Sequence, residues 1–323
     1  MHIVSRFVKV FCVVFVSAAL VSGCKKERPL PEAVNVSYVE SPFNLQIMVM
    51  KEQGRLEKAF AEKNVAVRWH NINSGAQQTQ AMASGDLDVA SVINSTSVIL
   101  ANAAGNEVDV AAVFSRPQRS FALVVRPDGP ASVKELRGKT IAGPKGTVLH
   151  QMLVAALVAE GMSADDVNFM QMGLPEARTA LLSGRIDGAL QAAALILRDE
   201  EAGMRVLFTA DGLLATPLWT AVRPVFALDY PELVELYLSV QHETADWILA
   251  NVDEAVAIGA KTQDVSFEDG KKLYAWGGMA SRKTAAVGEA DLASLESDVA
   301  FLLDQQMIIE AVRPQDFLLT IDF

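Results

Sequence analysis

Along most of this chain, short apolar or alternating runs take turns with longer runs whose apolar positions recur every three or four residues. That is the pattern of strands alternating with helices. Residues 34–39 alternate as a strand. Ser41 and Pro42 follow as a capping residue and a proline at the first helical position, so a helix is expected over 43–53. Gly54 interrupts it and 56–63 resumes it. A strand over 65–72, a helix ending at Ser84-Gly85, a short apolar strand, a helix from Asn94-Ser95-Thr96 to Ala104 and a strand over 108–114 complete a first set. Such alternation predicts parallel pairing within an α/β structure.

The pattern begins again after 115–120. Strands are expected over 121–125, 139–142, 167–172 and 204–208, with helices over 148–160 and 192–202. Ser132 with Glu135 has the form of a capping box. A strand over 218–222 has no copy in this scheme and is read as a return to the first set. Residues 230–306 are mostly helical and expected on the outside.

One stretch occurs twice. SGAQQTQAMASGDLDVA, from Ser74 to Ala90, and LPEARTALLSGRIDGA, from Leu174 to Ala189, keep Ser84/Ser183, Gly85/Gly184, Leu87/Ile186, Asp88/Asp187 and Ala90/Ala189 in register. Their separation is too long for a solenoid repeat, so each is read as one helix-turn-strand unit per lobe. The helix starts, Ser74-Gly75 and Leu174-Pro175, gather free backbone N–H groups. If the two starts face each other, the gap between them is a ligand cleft. The lobes follow as 34–115 plus 218–323 for the first, discontinuous one and 116–217 for the second. Crossings near 115–120 and 210–217 would form a hinge that permits rigid-body closure.

Apolar residues make up 51% of the 323, ample for two cores. The formal charge is −11 and no basic stripe is present, which speaks against a nucleic-acid partner. Residues 1–23 read as a secretory signal peptide, with Arg6 and Lys9 before the apolar run VFCVVFVSAAL. Removing those two cations takes the charge from −11 to −13. The run ends in Val21-Ser22-Gly23-Cys24, which resembles a bacterial lipobox whose cysteine becomes the lipidated first residue. Residues 24–33 then form a tether rich in charge and proline. The two cysteines are Cys12, lost with the leader, and Cys24, so the mature chain is expected to hold no disulfide.

Chemistry is scarce. Arg137-Gly138-Lys139-Thr140 contains the end of a phosphate loop, but Val133 stands where its first glycine belongs. Gly143-Pro144-Lys145-Gly146-Thr147 opens a helix and can hold an anion on backbone N–H groups, or be a plain strand-to-helix turn. His2, His70, His150 and His242 show no metal-ligand spacing, so neither metal nor cofactor is expected. Asp88 and Asp187 look like a catalytic pair, yet their matching places in the repeat give each a structural part, holding the turn or capping a neighbouring helix. Phe43, Trp69, Trp219 and Trp276 could wall a pocket, although any single one is more readily core.

Taken in order, Lys51-Glu52-Gln53-Gly54 with Leu56-Glu57, Ser74-Gly75 through Ser84-Gly85 and Asp88, Leu136 to Ala142, Lys145-Gly146-Thr147 with His150, Pro175-Glu176-Ala177-Arg178 and Gly184 through Asp187 carry a family resemblance. The chain resembles the periplasmic solute-binding lipoproteins of ABC importers, in the NMT1-like branch serving sulfonates, taurine, nitrate and thiamine-pyrimidine precursors. The resemblance implies a periplasmic-binding-protein-like α/β fold, with two lobes joined by a two-crossing hinge and a helical C-terminal region. It implies a non-enzymatic, monomeric protein that captures a small organic anion, then docks on a membrane permease served by an ATPase. Thiamine-pyrimidine capture, a sensor and a pyrimidine-synthase-like enzyme are the alternatives. By position it implies ligand contacts at Ser41, Phe43, Ser74, Gly75, Ala76, Gln77, Asn94, Ser95, Thr96, Gly146, Thr147, His150, Glu176, Gln191 and Trp219. Bulky substitution at Gly75 or Thr147 is expected to weaken binding and spare the fold. The chain departs from the resemblance at Gln191-Ala192-Ala193-Ala194, where many sulfonate binders carry an aromatic and acidic segment.

Overall fold

In the computed structural model, which describes residues 28–40, 43–276 and 284–320, ten strands form two five-stranded sheets. The strands are β1 (Ala33–Tyr38), β2 (Ala66–Asn71), β3 (Val89–Asn94), β4 (Asp109–Ser115), β5 (Phe121–Val125), β6 (Thr140–Gly143), β7 (Asn168–Gln171), β8 (Gly188–Ala192), β9 (Arg205–Thr209) and β10 (Leu218–Val222). The helices are α1 (Leu45–Glu52), α2 (Arg55–Ala61), α3 (Gly75–Ser84), α4 (Ser95–Ala103), α5 (Val148–Ala159), α6 (Leu174–Leu182), α7 (Ala194–Glu201), α8 (Pro224–Asp229), α9 (Pro231–Ala250), α10 (Val252–Thr262), α11 (Phe267–Trp276) and α12 (Glu289–Asp304).

The first sheet runs β2-β1-β3-β10-β4 and the second β7-β6-β8-β5-β9. The two orders are the same arrangement used twice, with β10 in the place that β5 holds. Each is the first strand after the chain has passed between sheets, so β10 does have a counterpart. Both run antiparallel to their neighbours, whereas β1, β2 and β3, like β6, β7 and β8, pair in parallel. This corrects the expectation of purely parallel pairing: alternation of elements fixes neighbours but not the direction of a strand that arrives from another sheet.

The repeated unit has the geometry its residues call for. Gly85 ends α3 at φ 85 and Gly184 follows α6 at φ 73, a conformation that L side chains adopt only with strain. The next residue closes each helix in the same way, Asp86 N–H to the Ala81 carbonyl at 2.8 Å and Arg185 N–H to the Ala180 carbonyl at 2.9 Å. Asp88 and Asp187 are structural. Asp88 Oδ2 accepts from Asn35 N–H at 2.9 Å, and Asp187 Oδ2 accepts from Thr140 N–H at 2.9 Å, so each carboxylate holds the strand second in its sheet's order, β1 or β6, instead of a turn or helix. Ser132 forms no capping box. It heads a 3-10 turn without a side-chain cap, and Glu135 accepts from Ala131 N–H at 2.9 Å.

Helices cover both faces of both sheets. Phe60, Tyr237 and Leu238 pack on one face of the first sheet, and Met82, Ile99, Trp219 and Leu295 fill the other. Met152, Leu153 and Leu157 cover one face of the second sheet, and Ala177, Leu181 and Ile196 the other. A further cluster joins Phe43 and Leu45 to Ala193 and Leu197 across the two halves. Arg116, at the first crossing, is clamped by Asp291 of α12 through bonds of 2.7 to 2.9 Å.

Candidate functional site

A cavity of about 560 Å³ lies between the sheets, where helices from both halves begin. Asn73, Gly75 and Asn94 line it from the starts of α3 and α4. Thr147, Val148 and Leu149 at the start of α5, and Ala193, Ala194 and Leu195 at the start of α7, line it from the other side. A helix start exposes N–H groups without intrahelical partners and carries partial positive charge. Capping differs between the halves. Ser74 and Asn94 cap α3 and α4, accepting from Gln77 N–H at 3.5 Å and Ser97 N–H at 2.8 Å. The Thr147 hydroxyl instead donates to the Pro144 carbonyl at 2.8 Å, and Ala193, at φ 45 and ψ −119, has no side chain with which to cap α7. Leu174, the first residue of α6, also lines the cavity, and its N-cap Gly173 has no side chain, so three helix starts in the second half meet the cavity with no side-chain acceptor.

Three charged residues complete the lining among the described residues: Arg198 on α7, with Glu40 and Asp264. Arg198 lies one turn beyond Ala194 on the same helix face and forms no ion pair among the described residues. Its backbone carbonyl accepts from Arg178 Nη2 at 3.0 Å. Arg178 Nε in turn stands 2.7 Å from Asp199 Oδ1, a carboxylate with no exposure. Burial pushes the Asp199 carboxyl up, and the neighbouring Arg178 guanidinium pulls it back down. This pair, of a half-buried guanidinium and a buried carboxylate, ties α6 to the turn of α7 from which Arg198 reaches the cavity.

The residues expected at the site are divided by the structure. Gly75, Asn94 and Thr147 line the cavity. Ser74, Ala76 and Gln77 are exposed beside it and outside its lining. Ser95 and Thr96 border a separate crevice of about 10 Å³. Trp219 is fully buried and donates from Nε1 to Ser95 Oγ at 3.0 Å, and Phe43 lies in the cluster that joins the halves, so both are core. Gln191 is buried behind the wall, donating to the Leu174 carbonyl at 3.2 Å. Glu176 lines another cavity, of about 510 Å³, with Met170, Met172 and Arg185. Ser41 lies outside the described residues, as does Cys24.

His150 and Gly146 are turned away from the cavity. The imidazole stacks on Phe169 at 4.4 Å and meets the edge of Phe301 at 5.5 Å. Its Nδ1 accepts from Gly146 N–H at 3.2 Å, which places the proton of the neutral ring on Nε2. Burial, with Lys145 nearby, lowers its pKa to about 4, so at neutral pH it is an uncharged packing residue. Gly75 has a packing reason as well: a Cβ there would stand 2.2 Å from Ser97 Oγ and 2.7 Å from Ser97 Cβ. The expectation that a bulky residue at Gly75 spares the fold is therefore corrected. Sequence reasoning missed Arg198, although Ala194-x-x-x-Arg198 is a legible helical spacing.

The NMT1/THI5-like family model matches residues 57–255, well over half of the chain. The chain belongs to this family. The matched span contains the starts of α3, α4, α5 and α7, hence most of the cavity. Among relatives of this NMT1/THI5-like chain, a Bacillus subtilis (strain 168) protein named for binding aliphatic sulfonates is 30% identical over 222 residues, covering 68% of this chain and 67% of that protein. The taurine-binding periplasmic protein of Escherichia coli (strain K12) is 31% identical, over 59% of this chain and 60% of its own length. In fold, the chain matches the periplasmic aliphatic sulphonate binding protein SsuA from Escherichia coli with TM-score 0.83 and 19% identity, covering 91% of this chain and 94% of that one. It also matches the desulfurization enzyme DszB in complex with biphenyl-2-sulfinic acid, with TM-score 0.68 and 16% identity over 90% and 96% of the two chains. The same fold thus carries binding proteins and an enzyme.

Proposed function

We propose that this NMT1/THI5-like chain is the exported solute-binding component of an ABC importer, and that the cavity between the sheets captures an organic anion, a sulfonate in the first place. The observation that carries this reading is the meeting of uncapped helix starts with Arg198, which forms no ion pair among the described residues, on the lining of one cavity. Backbone N–H groups touch an oxyanion directly, and the local field outweighs a screened acidic surface, since charges beyond about 8 Å count little at physiological salt. A thiamine pyrimidine, which would want stacking aromatics, loses the two expected for it, because Phe43 and Trp219 are core. Names of the sulfonate- and taurine-binding relatives favour binding over catalysis.

The lobes in this reading are 34–115 plus 218–323 and 116–217, closing over the solute about the two crossings and then presenting it, as a monomer, to a permease and its ATPase. Closure would show as a smaller radius of gyration in solution scattering at ligand saturation. The leader and Cys24 make it a lipoprotein, facing the periplasm or cell exterior. Mass spectrometry of membrane-extracted protein would find an acylated cysteine at its N-terminus, and an unmodified Cys24 would remove that part.

A thermal-shift panel of alkanesulfonates, nitrate, carboxylates and hydroxymethylpyrimidines tests the ligand class. Saturation at about a thousand times Kd adds roughly 4 kcal/mol, enough to raise Tm by several degrees. Shifts with sulfonates are the expected result. A shift with the pyrimidines alone would overturn the anion reading.

A further inference from the structure

We infer that the face of α8 carrying Val225 and Leu228 lies against the lipid bilayer that holds the chain, with Leu30 of the tether beside it. The inference rests on the lipoprotein reading above and says which surface of the protein that anchor brings to the membrane. Val225 and Leu228 stand three apart on α8, so they share a helix face, and they are 55% and 82% exposed. The inward side of the helix is occupied: Phe226 is buried in the core of the first sheet, with Ala227 and Tyr230 packed against that core. An exposed aliphatic side chain on its own is ordinary. These stand where the chain is tied to its anchor.

The tether is fastened to the same helix. Arg28 pairs with Asp229, the last residue of α8, and the Tyr230 hydroxyl donates to the Pro29 carbonyl at 3.3 Å. Leu30, the next residue, is itself exposed. Cys24 precedes Arg28 by four residues, a length of chain that reaches at most about 14 Å. With lipid on Cys24, the bilayer surface therefore lies within that reach of Arg28, and α8 is the helix fastened there. Lys25-Lys26-Glu27, between the two, carries a net positive charge that suits anionic headgroups. Glu32 and Glu232 are exposed on either side of the patch, so the contact is shallow. It involves only the half built on the first sheet, and so does not oppose a movement of the second half.

Spin labels test this on the acylated mature chain in vesicles of phosphatidylethanolamine and phosphatidylglycerol. Cys12 leaves with the leader and acylation blocks the Cys24 thiol, so a single introduced cysteine takes the label. Val225→Cys and Leu228→Cys each place it on the proposed face, and Val158→Cys, on α5 and 61% exposed, places it on the other half as a control. Labels at 225 and 228 should lie about 5–10 Å below the headgroup surface, relaxed by dissolved oxygen and sheltered from a water-soluble nickel complex. The label at 158 should stay in water. Labels at 225 and 228 as wet as the one at 158, on acylated protein bound to the vesicles, would overturn this inference and leave the lipoprotein reading standing. So would dipolar coupling between 228 labels of two copies, which would give the face to a second copy of the chain, or shelter that appears only when the permease is added. If the mature chain carries no acyl group and stays off the vesicles, both readings fall together.

Discussion

Gln151 on α5 donates its side-chain amide to Asp298 Oδ1 on α12 at 2.7 Å, a polar tie between a helix of the second half and one that packs on the first. Beside it, His150 meets the edge of Phe301 across the same seam. Burial pushes the Asp298 carboxyl up to about 6, against the hydrogen bonds of Ser95 and Gln151 that lower it, while burial lowers His150 to about 4. Two groups on one seam are thus shifted in opposite directions.

Their effects on stability oppose each other. Between about pH 4 and 6, folded Asp298 keeps a proton that the unfolded chain has released, so its contribution falls as pH rises. Below its unfolded pKa of about 6.5, His150 gains a proton only on unfolding, so its contribution falls as pH drops towards 4. Asp298→Asn should make urea-unfolding stability rise more steeply with pH across this window than in wild type. At pH 7 it should add on the order of 1–2 kcal/mol, because a buried charge is removed. Parallel pH profiles for variant and wild type would show that Asp298 titrates normally.

Gly75 carries a cost for any side chain. The Cβ of Gly75→Ala would press on Ser97 Oγ and Cβ where α3 meets α4. Overpacking of this kind destabilises by about 1–3 kcal/mol. Ser97→Gly in the same chain should recover a large part of the loss, because it removes both opposing atoms. A double variant as unstable as Gly75→Ala alone would point to another cause.

The Arg178–Asp199 pair makes a sharper case. Asp199 is fully buried, so Arg178→Ala would strand its charge at a cost of about 3–5 kcal/mol. Arg178→Met with Asp199→Leu should be far less damaging, since an apolar pair needs no counter-charge. Chemical denaturation of the single and double variants decides it. Equal losses in both would mean that packing, and not the charge, sets the cost.

Much of this architecture was legible because local chemistry encodes it. The glycine after each repeated helix, the Asn94 cap and the apolar strands all appear where the sequence places them. Strand direction was not legible, since β5 and β10 read like any other apolar run until the sheet orders show their shared place. The site was legible by element and not by rotation. His150 and Glu176 do lie in the first turns of α5 and α6, but each points to another surface, because the phase of a helix about its axis is set by packing against residues such as Phe169 and Phe301. Arg198 lies one turn beyond the start of α7, where the sequence shows an ordinary helical arginine until the cavity gives it a place.

Asp88 and Asp187 occupy matching places, yet they do not carry equal stakes. Asp187 is half-buried and holds Thr140 N–H. Asp88 is buried at 4% exposure, holds both the backbone and side-chain N–H groups of Asn35, at 2.9 and 3.0 Å, and pairs with Arg223. Asp187→Ala removes one charge-assisted bond and should cost about 1–2 kcal/mol. Asp88→Ala leaves Asn35 and Arg223 without their acceptor in a drier place and should cost about 3–5 kcal/mol. Asp88→Asn separates the two roles, since an amide oxygen can still accept from Asn35 while the charge opposite Arg223 is gone. Its loss should fall between those of the two alanine variants in denaturant melts. If Asp88→Asn proves as stable as wild type, the pairing with Arg223 contributes nothing, and the carboxylate serves only to hold β1 as Asp187 holds β6.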